Sequence, residues 1–227
     1  MSRTRTKTAP DLYLITGGNV IPLDPPLKRG GVNEGFFDRI KSALDAGVRA
    51  VQLREKELNA RDLLQTAERL RLLTHGYGAL FFINDRADVA KLSGADGVHL
   101  GQGGMSPAAA RKILGEEAII GVSAHNMTEA RKAKKDHADF ITLGPVYPTP
   151  SKAHYGAPLG LKTLKKIAGL VDIPVYAIGG INKGRVEEVI AAGASGVAVI
   201  SAILSAPDVR KSAEEIIAEL NRVKTSR

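Results

Sequence analysis

The sequence predicts an α/β fold, a single-domain (β/α)8 barrel of the TIM type. Three observations carry this. Eight short apolar runs of strand length recur along the 227 residues. Amphipathic helical patterns fill the gaps between them. Polar and charged residues gather just after the runs, where a barrel of parallel strands keeps its chemistry.

The strand candidates are LYLIT (12–16), AVQL (50–53), ALFFI (79–83), GVHL (97–100), IIGV (119–122), DFITL (139–143), PVYAI (174–178) and GVAVI (196–200). They are too short for helices and rich in Val and Ile. Most lack period-2 alternation, as expected for strands covered on both faces. FFDRIKSALDAG and ARDLLQTAERLRLLTHG repeat apolar residues at helical spacing and stop at Gly47 and Gly76. A short helix is expected around ADVAKLSG. SPAAARKILG has Ser106 as cap, Pro107 in the first turn and Gly115 at its end, the usual order of start and stop signals. NMTEARKAKK, LKTLKKIAG, GRVEEVIAAG and DVRKSAEEIIAEL complete about eight helices. Strict alternation of strand and helix argues for a parallel sheet. Eight units and no GxGxxG favour the closed barrel over an open doubly wound sheet. AGVRAVQLR, SGADGVHLG, HADFITLG and AGASGVAVI echo one another before strands two, four, six and eight, as repeated βα units would. The barrel is expected over residues 12–222, preceded by a basic, frayed tail over 1–11. Residues 17–34, rich in Gly and Pro, read as a loop over one end.

Composition removes several function classes. Cysteine is absent, which excludes a disulfide framework, a thiolate nucleophile and a Cys-based metal site. No run approaches the ~18 apolar residues of a membrane span. Aromatics make up 4% and do not interleave with bases, so a nucleic-acid stacking surface is not expected. The formal charge of +8 then points to small anionic substrates, and the expected location is the cytoplasm. Self-association leaves no periodic trace here and stays open.

The strand list becomes a site list. After strand two stand Gln52, Arg54, Glu55 and Lys56; after three, Asn84 and Asp85; after four, Gly101 to Gly104. Ser123 and His125 follow strand five. GPVYPTPSKAHYG follows strand six with Thr149, Ser151 and Lys152. Gly179 and Gly180 follow strand seven, and Ile200 and Ser201 close strand eight. Small residues opening helices after strands seven and eight expose backbone N–H groups, which suit a phosphate at the positive end of a helix dipole. Arg54, Lys56, Asn84 and Lys152 form a second anion site on three strand ends, where Arg offers a planar fork and Lys a point charge. Asp85 could hold Mg²⁺, which commonly takes one or two carboxylates plus substrate phosphates. His99 reads as a packing residue within its strand.

With these residues in hand, the chain resembles the thiamine phosphate synthase family over roughly residues 12 to 205. The carriers are VQLREK (51–56), NDRADVA (84–90), GADGVHLGQ (94–102), GVSAHN (121–126), GPVYPTPSK (144–152), AIGGIN (177–182) and GVAVISAI (196–203). The resemblance implies a transferase joining hydroxymethylpyrimidine pyrophosphate to hydroxyethylthiazole phosphate, with Mg²⁺ as cofactor. Pyrophosphate leaves first, and the thiazole nitrogen captures the pyrimidine-methyl cation. By the family pattern Gln52 and Ser123 contact the pyrimidine. Arg54, Lys56, Asn84 and Lys152 hold the pyrophosphate, with Mg²⁺ on Asp85. Thr149 and Ser151 approach the thiazole, and Gly180, Ile200 and Ser201 bind its phosphate.

One departure stands out. The family pattern implies a second carboxylate two residues after the Gln of GQ, and this chain has Gly104 there. That keeps two alternatives open: a thiazole tautomerase-like enzyme, and a non-catalytic binder of thiazole phosphate or thiamine phosphate. Against the tautomerase stands Pro145, where that relative would need a histidine.

Overall fold

The computed structural model describes residues 10–17, 34–149 and 157–226. Eight parallel strands close on themselves in chain order. They are β1 (Leu12–Ile15), β2 (Ala50–Leu53), β3 (Leu80–Asn84), β4 (Gly97–Leu100), β5 (Ile119–Ala124), β6 (Phe140–Leu143), β7 (Val175–Ile178) and β8 (Gly196–Val199). Closure is visible at Leu14, which pairs with Val51 on one side and Val199 on the other. The helices are α1 (Glu34–Asp45), α2 (Ala60–Gly76), α3 (Ala87–Ser93), α4 (Pro107–Leu114), α5 (Met127–Lys135), α6 (Gly160–Ala168), α7 (Val186–Ala191), α8 (Ser201–Leu204) and α9 (Val209–Thr225). A 3-10 turn at Lys183–Arg185 leads into α7.

Local chemistry explains the starts. Asn59, Ser106 and Asn126 each accept a hydrogen bond from a backbone N–H three residues on, capping α2, α4 and α5, and so satisfy donors that a helix leaves unpaired. Two features depart from the expected pattern. The segment GRVEEVIAAG begins as a 3-10 turn, and a four-residue helix, α8, stands between β8 and the last long helix. Pro207 and Asp208 separate them: Asp208 accepts from the Lys211 N–H and starts α9 afresh.

Strand alternation sorts the core into two layers. Outward residues such as Leu14, Val51, Phe81, Val98, Ile120, Ile141 and Val197 are fully buried under the helices. Inward residues Tyr13, Ile15, Ala50, Phe82, Phe140, Tyr176 and Ala198 fill the barrel. Tyr13, Phe82, Phe140 and Tyr176 meet edge to face, with centroids 5.4 to 6.1 Å apart. This aromatic layer floors the barrel, and the inward residues above it form the site.

At the opposite end Asp96 precedes β4. It accepts from Arg71 Nη1 (2.7 Å) and from the Phe81 N–H (2.9 Å). It joins strand starts and takes no part in the mouth. Among the described residues no helix is long and apolar enough to cross a membrane.

Candidate active site

A cavity of about 440 Å³ opens at the C-terminal ends of the strands. Its wall takes Gln52 and Arg54 from β2 and its loop, Asn84 from β3, His99 from β4, Ser123 and His125 from β5, Thr142 and Thr149 from β6 and its loop. Gly179, Gly180 and Ile181 after β7, and Ile200, Ser201 and Ala202 after β8, close the circle. A more open depression of about 680 Å³ lies outside the barrel beside α4 and α5. Four of its charges are already engaged as pairs, Arg111 with Asp139 and Lys134 with Asp172.

The period-2 strand geometry delivers the polar groups. Ala50, Gln52 and Arg54 share the inward face of β2. Gln52 is 1% exposed and donates from Nε2 to the Tyr13 hydroxyl at 2.9 Å, which anchors its amide to the aromatic floor. The Arg54 N–H donates to Thr16 Oγ1 at 2.9 Å, fixing the backbone from which the guanidinium reaches the cavity. Between Arg54 and Lys56, Glu55 is buried, and burial pushes its carboxyl above the usual range. Lys56 is exposed and outside the cavity wall.

His99 has a different place from the packing role its strand position implied. It pairs in register with Asn84, faces inward and lines the cavity. Its Nε2 lies 3.0 Å from Ser123 Oγ and 3.2 Å from Thr142 Oγ1, while its buried Nδ1 has no hydrogen-bond partner. Burial, aided by the positive charge of Arg54, pushes its pKa from 6.5 down to about 3. The imidazole is therefore neutral at physiological pH. It orients the Ser123 hydroxyl at the cavity wall. The signal was the shared inward register with Asn84, invisible until the strands are paired.

His125 is a wall residue. Its Nδ1 lies 3.0 Å from Glu129 Oε2, and the same oxygen accepts the His125 N–H at 2.7 Å. Asn126 caps the helix from which Glu129 reaches back to His125, so the capped first turn fixes the ring.

Asp85 takes a left-handed backbone, φ 58°. Its Oδ1 accepts the Gly101 N–H at 2.6 Å and its Oδ2 accepts Asn84 Nδ2 at 2.8 Å. The carboxylate thus bridges the β3 and β4 loops at the rim, beside Asn84 but outside the wall itself. Among the described residues no three His, Asp or Glu side chains group as a metal site. A Cβ at Gly104 would lie 2.7 Å from Asp85 Oδ1, so that backbone position faces the same carboxylate. One carboxylate completed by substrate oxygens and water matches how Mg²⁺ is commonly held.

Across the mouth, Gly179 and Gly180 have φ of 94° and 67°, values that favour glycine. The N–H groups of Gly180, Ile181, Ser201 and Ala202 meet no backbone acceptor among the described residues. Two of them open α8, and such first-turn donors lack intrahelical partners. Ser151 and Lys152 lie outside the described residues, as does most of the 17–34 loop.

Residues 13–203 match the family model described as thiamine monophosphate synthase. A thiamine-phosphate synthase of Archaeoglobus fulgidus is 47% identical over 183 residues, 81% of this chain and 86% of the relative. One from Moorella thermoacetica is 46% identical over 180 residues, 79% and 86% respectively. The solved structure of a thiamine phosphate pyrophosphorylase from Pyrococcus furiosus superposes with a TM-score of 0.80 at 39% identity, covering 94% of this chain and 96% of the other.

Proposed function

The chain belongs to the thiamine monophosphate synthase family, and from that premise we propose how its cavity performs the synthase reaction. The enzyme joins a hydroxymethylpyrimidine pyrophosphate to a hydroxyethylthiazole phosphate and releases thiamine phosphate and pyrophosphate. The observation that carries the residue assignment is the convergence of Gln52, Arg54, Asn84 and Ser123 on one cavity with Gly180 and Ser201 facing them.

The pyrimidine lies deepest, against Gln52, Ser123 and neutral His99. The bond between its methylene carbon and the diphosphate oxygen breaks, and the electron pair leaves with the diphosphate. Such a step needs preorganised positive charge on the departing group rather than a strong base. Arg54, Lys56 and Lys152 supply it, and Asn84 adds a neutral amide donor to the diphosphate. Asp85 is the residue to hold Mg²⁺, with substrate oxygens and water completing the shell; when bound, the ion neutralises charge on the leaving diphosphate. Thr149 and Ser151 flank the thiazole. Backbone donors at Gly180, Ile200 and Ser201 grip its phosphate, holding the ring nitrogen in line to form the new C–N bond. Residues 12–222 act as one catalytic domain, and the cytoplasm is the proposed setting for these small anionic substrates.

The test is pyrophosphate release by the purified protein given both substrates and Mg²⁺. Arg54→Ala should lower kcat by roughly 10²-fold or more, the usual effect of removing one preorganised stabilising group. Tight thiazole phosphate binding without any pyrophosphate release would overturn catalysis in favour of a binder. A silent Arg54→Ala would overturn the leaving-group assignment.

A further inference from the structure

The glycine turn that faces the cavity is held from behind. The Val146 N–H donates to the Ile178 carbonyl at 2.9 Å, and the Tyr147 N–H to the Gly179 carbonyl at 3.1 Å. Arg185 Nη1 donates to the Gly180 carbonyl. The Arg185 guanidinium lies 4.3 Å from the centroid of the Tyr147 ring. The Tyr147 hydroxyl in turn donates to the Glu188 carboxylate on α7. Three elements, the β6 loop, the 3-10 turn and α7, thus meet behind two consecutive peptide groups.

Both peptides are trans, so each carbonyl and the N–H that follows it point to opposite sides. The Gly179 and Gly180 carbonyls are drawn to the Tyr147–Arg185 side. The N–H groups of Gly180 and Ile181 are therefore turned the other way, and both residues line the cavity. Arg185 is not among the lining residues. Its fork is engaged on a carbonyl and its face on an aromatic ring, two roles a lysine cannot fill together. A carbonyl bound by a cation also polarises its amide, which strengthens the opposing N–H as a donor.

We infer that Arg185, stacked on Tyr147, is a positioning residue for phosphate recognition, fixing and polarising the peptide groups that bind the phosphate without touching it. This rests on the reading that the thiazole phosphate sits at Gly180. Glu188 holds the tyrosine from the far side.

The experiment is calorimetric binding to the full-length protein of hydroxyethylthiazole phosphate and of the unphosphorylated hydroxyethylthiazole alcohol. Arg185→Ala should weaken the phosphate ester about tenfold, the scale of one charge-assisted hydrogen bond, and leave the alcohol and the pyrimidine pyrophosphate unchanged. Arg185→Lys should recover little of it. Tyr147→Phe, which keeps the ring under the guanidinium but frees it from Glu188, should cost only about two- to threefold, because the Arg185 contact to the Gly180 carbonyl remains. In turnover the KM for the thiazole phosphate should rise with kcat at saturation nearly constant, a split that a general loss of fold would not give. Retention of the full ester preference in Arg185→Ala and Arg185→Lys would overturn the inference. A wild-type protein that binds ester and alcohol alike would overturn it at its root, because the phosphate site itself would then be misplaced; that outcome is read from the wild-type arm alone.

Discussion

At the residue scale, His99 and Gly104 carry the sharpest expectations. The buried imidazole stays neutral to about pH 3, whereas in the unfolded chain it titrates near its ordinary value. Between those two pH values the unfolded state binds the extra proton, so stability falls as pH drops through the window. Replacing His99 by Asn removes that contribution while the carboxylates common to both proteins cancel. Wild type should lose about 1 kcal/mol relative to His99→Asn between pH 6.5 and 5.5, as one pH unit of single-proton linkage requires. Parallel denaturation curves at the two pH values check it, and an unchanged difference would show that the folded ring takes up its proton over the same pH range as the unfolded chain. Gly104 is the second case. A side chain there points at Asp85 Oδ1, 2.7 Å from its Cβ, so a new carboxylate crowds an existing one unless a cation lies between. Gly104→Asp should lower the Mg²⁺ concentration for half-maximal turnover severalfold and destabilise the metal-free protein by like-charge repulsion. An unaltered Mg²⁺ titration would separate position 104 from metal binding.

At the element scale, the strands were legible because burial on both faces writes continuous apolar runs, and β1 to β8 fall on those runs. The polar members of the site were legible by type where a polar side chain directly follows an apolar run, as with Arg54 and Asn84. His99 was not: in GVHL an imidazole between apolar neighbours looks like core, and only pairing with β3 shows that it faces Asn84. Helix α8 was missed for a different reason. Four residues, Ser201–Leu204, are barely more than one turn and cannot show a 3.6-residue period. The clamp of Tyr147 on Arg185 joins positions 38 residues apart and has no sequence signature. The capped start of α5 was only half visible: Asn126 and Glu129 have the right spacing, but the return of Glu129 to His125 is a matter of geometry. Asn126→Ala should cost about 1 kcal/mol, as the loss of an N-cap does, and lower Tm by about 3 °C for a chain this size. A thermal melt checks it, and an unchanged Tm would show that Glu129 and His125 hold the helix start without the cap.

At the scale of the whole molecule, the aromatic layer of Tyr13, Phe82, Phe140 and Tyr176 separates the upper cavity from a second hollow at the base. The barrel is therefore a blind well. Whatever lodges beside Gln52 and His99 has to descend before a partner settles above it, and nothing can escape underneath. Under the proposed seating this dictates queueing: pyrimidine enters ahead of thiazole, and an unreactive pyrimidine analogue competes only with the first arrival. Initial-rate inhibition patterns report the sequence directly. The decisive probe is an unreactive thiazole phosphate analogue, which should inhibit uncompetitively against the pyrimidine; a mixed pattern would mean that the thiazole reaches its berth without waiting.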